Sequence, residues 1–273
     1  MSDLLTSLLD DLQAEGDQLR DTVDRLGEPG WRAATPAEGW DVATSVAHLL
    51  WTDEVAVLAA HSLRGEEDKA AWDEVVLAAI ADPFGFVDAG AVELAALPRD
   101  EVLSRWAAGR AALRQALLEV PDGSKLPWFG PPMSPPSMVT ARFMETWAHA
   151  LDVYDAAATE MGESRPEPTD RIKHVAHLGV RTRNFAFVQN ELEPPADEFR
   201  VELTAPSGEV WTWGPEGAAQ SVTGPAYDFC LLVTQRVHRD DTDLVAVGDD
   251  AEKWLTIAQA FAGPAGNGRE AAR

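Results

Sequence analysis

Cysteine is nearly missing from this chain of 273 residues. The single one, Cys230, excludes an internal disulfide and any CxxC motif, and it fits a reducing compartment. Positive charge is scarce as well. Lysine and arginine number 22 against 46 aspartates and glutamates, so the formal charge of −24 repels phosphate backbones and anionic lipid and argues against nucleic acid or a membrane surface as partner. The N-terminal segment MSDLLTSLLDDLQAEGDQ is acidic and amphipathic, without the apolar core of a secretory signal, and no run reads as long enough to span a bilayer. These absences predict a soluble, cytoplasmic protein; it is expected as a monomer or homodimer, a choice these absences do not make. The length, with an ordinary hydrophobic fraction of 45%, predicts two domains.

What is present is strong helical patterning. Leu5, Leu8, Leu12, Leu19, Val23 and Leu26 paint one stripe of a first helix, with Asp3, Asp10, Asp11, Glu15, Asp17 and Asp21 as its solvated remainder, and Gly27, Pro29 and Gly30 end it. Asp41 is the expected N-cap of a second helix, on which Val42, Val46, Leu49 and Leu50 form the apolar face and His48 stands beside it. A helix from Ala70 to Ala81 lies in the stretch 64–98, which reads as an excursion from the bundle and a possible cover for a site. Pro98 introduces another long helix through Val102, Trp106, Leu113, Leu117 and Leu118. The Pro-rich loop 121–136 is expected either as a rigid surface connector or as a wall over a pocket, carrying Trp128, Phe129 and Met133.

The stretch from Met138 to Asp155, MVTARFMETWAHALDVYD, carries the chemistry. Glu145 and His149 are four residues apart, one above the other on a helix that Ser137 is expected to cap and that runs to about Met161. Asp152, three residues on, can orient the His149 imidazole through its second nitrogen. Arg142 is expected to pair with Glu145 on the same helix or to face an anionic ligand. Because the neighbours are apolar, these charged groups are expected to face inward, where they need partners or a metal. With His48 they would form a site of two histidines and one carboxylate. His174, His177 and Arg181 ride on a further helix that starts at Asp170, after the loop GESRPEPT.

The segment LEPPAD, residues 192–197, reads as a linker. Beyond it RVELTA and EVWTW alternate with period two across a Pro-Ser-Gly turn, the pattern of a β-hairpin, and SVTG is a short third strand. A helix AYDFCLLVTQRVHR follows, then a strand LVAVG and a last helix from Asp250 to Ala262. Cys230, inside FCLLV, is expected to be a buried structural thiol. Residues 263–273 read as a frayed tail.

GWDVATSVAHL with His48, ARFMETWAHALDVYDA with Glu145 and His149, and VELTAPSGEVWTW followed by GPAYDFCLLVTQR resemble the mycothiol-dependent maleylpyruvate isomerase family, within the DinB-like metal-binding superfamily. The resemblance implies a mainly α protein: a DinB-like helical bundle over 1–192 and a small α+β domain over 196–262. It also implies zinc held by His48, Glu145 and His149, and an arginine near the active cleft, matched here by Arg236.

Two histidines and a carboxylate leave a coordination position for water or a thiol. A low-molecular-weight thiol such as mycothiol is then the expected cosubstrate, since the protein's own cysteine is apolar in setting. Arg236 and Arg142 are the expected catalytic residues, binding a substrate carboxylate or stabilising an enolate as the thiol adds, for isomerisation or S-transfer. Two alternatives remain open at this point. The same triad suits Fe2+ for oxygen chemistry, and a non-catalytic, metal-stabilised protein that sequesters a small ligand has the same residues.

Overall fold

The fold was obtained as a computed structural model, which describes residues 3–263, 266 and 268–272. It divides into two compact units, Met1–Pro166 and Glu167–Arg273. The division falls inside GESRPEPT rather than at the LEPPAD segment, so the two helices after Asp170 group with the sheet and not with the bundle.

The first unit is helical throughout: α1 (Asp3–Arg25), the short α2 (Glu28–Trp31), α3 (Val42–His61), α4 (Glu66–Ala81), α5 (Phe86–Ala95), α6 (Arg99–Glu119) and α7 (Pro135–Met161). Four long helices close a ring, α1 against α7, α7 against α3, α3 against α6, and α6 against α1. The α1 stripe does the work expected of it: Leu5, Leu8, Leu19 and Val23 are buried, joined by Leu9, and Leu5, Leu8 and Leu9 meet Leu113, Leu117 and Met138 in the core. Each such leucine contributes about 1.5–3 kcal/mol by leaving water. Glu15 departs from expectation, since it is buried rather than solvated.

Helix α3 starts where Asp41 caps it, accepting from the backbone N–H of Thr44 at 2.8 Å. It is buried on nearly every side from Val42 to Leu50. Contrary to the sequence reading, this helix is long and apolar enough to cross a membrane by length and mean hydropathy (20 residues, 1.2), with 78% of that window buried inside the protein. A helix apolar all round is also what the centre of a bundle requires.

The stretch 64–98 holds two helices instead of one excursion. Helix α5 packs on α3 as part of the bundle, and Gly90 makes this possible: a Cβ there would lie 2.3 Å from Trp51 Nε1. On α4, Trp72 is buried while Leu77 and Ile80 are exposed. The Pro-rich loop is anchored from below, with Leu126 fully buried and paired to Met133 through two backbone hydrogen bonds of 2.8 and 3.0 Å. Its Trp128 and Phe129 pack on Trp72, and Phe129 on Phe86.

Helix α7 begins one turn before the expected cap. Ser134, not Ser137, accepts from the Ser137 backbone N–H, and Pro135 and Pro136 form the first helical positions. Proline is at home there because those N–H groups have no intrahelical partner.

The second unit contains α8 (Lys173–Arg181), α9 (Arg183–Gln189), β1 (Arg200–Thr204), β2 (Val210–Trp213), β3 (Ser221–Pro225), α10 (Ala226–Val233), β4 (Val245–Val247) and α11 (Asp249–Ile257). The sheet order is β2-β1-β3-β4, with the β1–β2 hairpin antiparallel, β1–β3 parallel and β3–β4 antiparallel. Val201, Leu203 and Val222 face a core with Phe229 and Trp254. Gly179 lets α8 approach α10, since a Cβ there would stand 2.9 Å from the Val233 methyls. Helix α10 ends at Val233, earlier than expected. Gln235 takes a left-handed φ of 59°, the Gln235 N–H bonds to Leu232 O and the Arg236 N–H to Leu231 O at 2.8 Å, a Schellman ending. Arg236 therefore lies beyond the helix, not on it. The last helix also stops short, at Ile257. The tail expectation falls partly on residues 264, 265, 267 and 273, which lie outside the described residues.

Candidate metal centre

Helices α3 and α7 run antiparallel in the bundle core, and the inward positions of their facing turns carry His48 from one and Glu145 and His149 from the other. One donor atom from each lies within 4.8 Å of the other two. His48 Nε2 and His149 Nε2 both stand 3.4 Å from the same oxygen, Glu145 Oε2. The two imidazole centroids are 4.6 Å apart. Spacing on α7 brought Glu145 and His149 together; only the packing of α3 against α7 adds His48 from 97 residues away.

Burial sets the protonation states. It pushes the His48 pKa down to about 4, against the hydrogen bond to the Glu145 carboxylate, which works the other way. Glu145 is pushed up by burial, but its hydrogen bonds to His149 and His48 outweigh this and hold it well below the usual carboxylate range. At neutral pH His48 is thus a neutral imidazole and Glu145 a carboxylate, the forms that bind a cation.

The donor set fits a zinc-type ion. Tetrahedral bonds of roughly 2.0–2.1 Å set ligands about 3.3 Å apart, close to the 3.4 Å between each imidazole nitrogen and the carboxylate oxygen. The chain supplies three donors, which leaves one tetrahedral position for an outside ligand. Behind the rings, His48 Nδ1 and His149 Nδ1 are buried without a hydrogen-bond partner. Asp152 stands on the expected side of His149, its Oδ2 3.8 Å from Nδ1, beyond hydrogen-bond length.

Two nearby residues had no role in the sequence reading. Trp40 lies parallel to the His149 ring at 5.4 Å and tilted against His48 at 5.2 Å, so that one indole covers both imidazoles. No periodicity marks it; its signals are its place in the GWDVATSVAHL segment that carries the resemblance and its position just before the cap Asp41. Asp53 is 3% exposed and accepts from Arg142 Nε at 2.9 Å. Burial pushes its carboxyl above the ordinary value, with Arg142 opposing. Arg142 therefore pairs across to α3 and not with Glu145 on its own helix, because the apolar core offers it a buried carboxylate there. A charged residue inside the apolar run LLWTDEVAVLAA was the available clue to Asp53.

Of the other expected residues, His174 and His177 lie on α8 in the second unit, and His177 Nδ1 accepts from Trp213 Nε1 at 3.3 Å. Arg236, also in that unit, donates through Nη1 to the Thr234 carbonyl. Cys230 is fully buried, its thiol donating to Ile172 O, and burial pushes its pKa well up, so it is no nucleophile.

A ring of four helices, in which the antiparallel pair α3 and α7 turns two histidines and a carboxylate inward, defines a bundle built around a prospective metal centre. The comparisons with known proteins make this particular. The family model described as the mycothiol maleylpyruvate isomerase N-terminal domain matches residues 12–154, just over half the chain, and the chain belongs to that family. A second family model, described as wyosine base formation, matches residues 195–247. Two uncharacterized proteins from Mycobacterium tuberculosis, of strains CDC 1551 / Oshkosh and ATCC 25618 / H37Rv, are each 55% identical over 259 residues, covering 95% of this chain and 96% of the relative. Crystal structures of the mycothiol-dependent maleylpyruvate isomerase, wild type and a histidine-to-alanine mutant, share the fold. Their TM-scores are 0.56 and 0.57 at 13% identity, over 90% of this chain and 95% of theirs.

Proposed function

We propose that this protein is a metal-dependent enzyme of the cytoplasm that uses an external low-molecular-weight thiol, mycothiol or a close analogue, on a small electrophilic carboxylate. The observation that carries this is the convergence of His48, Glu145 and His149 at separations that suit tetrahedral zinc. Family membership supports the thiol, and the burial of Cys230 leaves the nucleophile to come from outside.

His48 and His149 would hold the ion through Nε2 and Glu145 through Oε2. A zinc ion held there would supply the positive charge that lowers the pKa of a bound thiol toward neutral pH. Trp40 covers the imidazole faces and keeps water from them. Addition of the thiolate to a double bond conjugated with a carbonyl moves the electron pair to the carbonyl oxygen and leaves a single bond free to rotate. Expulsion of the thiolate restores the double bond in the other geometry, with no oxidant consumed. Release of the adduct instead, after protonation at carbon, is S-transfer. Asp152 would orient His149, and Arg236 enters through the family resemblance alone, as the group that pairs with a substrate carboxylate.

The test begins with metal content of untagged protein never exposed to chelator. It continues with zinc-loaded protein, mycothiol and maleylpyruvate, followed for cis-to-trans conversion and for thiol adduct. Near-stoichiometric zinc with thiol-dependent turnover is expected. Protein that neither contains nor accepts zinc sinks the reading, and stoichiometric iron with oxygen uptake replaces it by oxygen chemistry.

A further inference from the structure

The helix that delivers His48 has an unusual problem. Because α3 is buried from Val42 through Leu50, with small residues such as Ala43, Ser45 and Ala47 among them, this half of the helix has no polar face to define its rotation, and Glu54 further along pairs with Arg105 of α6 rather than with α7. Hydrophobic burial alone tolerates a slip of such a helix. A slip of one residue is about 1.5 Å along the axis and 100° around it, enough to remove His48 Nε2 from its 3.4 Å separation from Glu145 Oε2.

Apart from the ligand contact itself, one buried ion pair between α3 and α7 opposes this slip. Asp53 lies five residues beyond His48 on α3, and Arg142 three residues before Glu145 on α7, so their bond of 2.9 Å joins the same two helices next to the ligand pair. Both side chains are buried, at 3% and 2% exposure. Asp53 also accepts from the indole of Trp106, which brings α6 into the same joint. The pair is poorly built for stability alone, because Arg142 Nη2 is buried without a partner. Buried ion pairs as a class cost nearly as much in desolvation as they return, and their best-attested use is to select one register.

We propose that Asp53 and Arg142 are a positioning pair that locks the register of α3 against α7, and thereby the spacing of His48 from Glu145 and His149. The proposal rests on the metal reading of that triad.

The test uses metal-free full-length protein, zinc affinity by competition with a chromophoric chelator, and thermal unfolding of the same metal-free samples. In the double variant Asp53→Leu/Arg142→Met, apolar groups replace the pair. Its unfolding temperature is expected to hold within a few degrees while zinc binding weakens at least tenfold. Arg142→Lys keeps the charge but loses the planar fork, and is expected to fold and bind zinc three- to tenfold more weakly, which keeps the question answerable where the double variant fails to fold. Wild-type zinc affinity in either folded variant overturns the proposal. So does a loss of affinity that merely follows a matching loss of unfolding temperature in both. Wild-type protein that takes no zinc overturns the metal reading, whereas normal wild-type binding with unaffected variants overturns the register pair only.

Discussion

Two pairs of residues at helical spacing look alike on paper: Glu145 with His149 on α7, and His174 with His177 on α8. On α7 the pair faces inward, and α3 brings His48 against the same carboxylate oxygen. On α8, His177 is exposed and accepts a hydrogen bond from Trp213, and among the described residues neither histidine joins a group of three ligand-capable side chains. Spacing along one helix thus nominates residues, but a third donor from a distant segment separates a candidate metal centre from a pair that no third donor joins.

The comparison breaks most visibly at the triad. Replacing His48, Glu145 or His149 by alanine is expected to weaken zinc binding by more than about a hundredfold, beyond what loss of an outer-shell partner costs; zinc retained in any of the three would remove that residue from the site. Acid should act next most strongly. In chelator-stripped protein His48 titrates near 4 instead of its ordinary 6.5, so between those values the folded state binds fewer protons than the unfolded chain. Stability is therefore full above about pH 6.5 and falls as pH drops toward 4, by on the order of 3 kcal/mol, in urea titrations. His48→Gln should flatten that slope, and an unchanged slope counts against a buried neutral imidazole.

Cys230→Ser places a hydroxyl in an apolar core and is expected to cost about 1–3 kcal/mol while leaving zinc content and turnover with external thiol intact; loss of turnover in the folded variant would mean the protein's own thiol takes part. Trp40→Leu removes the cover over both imidazoles and should weaken zinc binding severalfold with little change in unfolding temperature. The smallest effect sharpens the contrast: the double variant His174→Ala/His177→Ala should bind zinc as the wild type does, and a clear loss would reverse the distinction between the two helices.

Much of this was readable in advance where the physics is local. The α1 stripe, the Asp41 cap, the hairpin at Pro206–Gly208 and the Glu145–His149 spacing each depend on residues within a few positions of one another. The errors lie where local signals compete or are absent. Prolines 135 and 136 read as loop because proline breaks helix interiors, yet at a first turn it is tolerated. Gln235 lacks the glycine that would have announced the left-handed end of α10, which left Arg236 assigned to a helix it follows. Helix α5 is hard to read from the sequence because its buried stripe, Ala91, Leu94 and Ala95, is short and mostly alanine, and its close approach to α3 depends on Gly90 meeting Trp51.

The chain's order of residues, then, was enough for a mainly helical bundle with an α+β companion and to nominate the three candidate ligands, because periodicity and capping act over one or two turns. Tertiary structure alone decided that Arg142 answers Asp53 rather than Glu145, that Trp40 covers the imidazoles, and that α8 and α9 belong with the sheet. Those choices turn on which charge is left unpaired and which face is left bare once helices meet, and burial makes each of them a matter of partners far away in the chain.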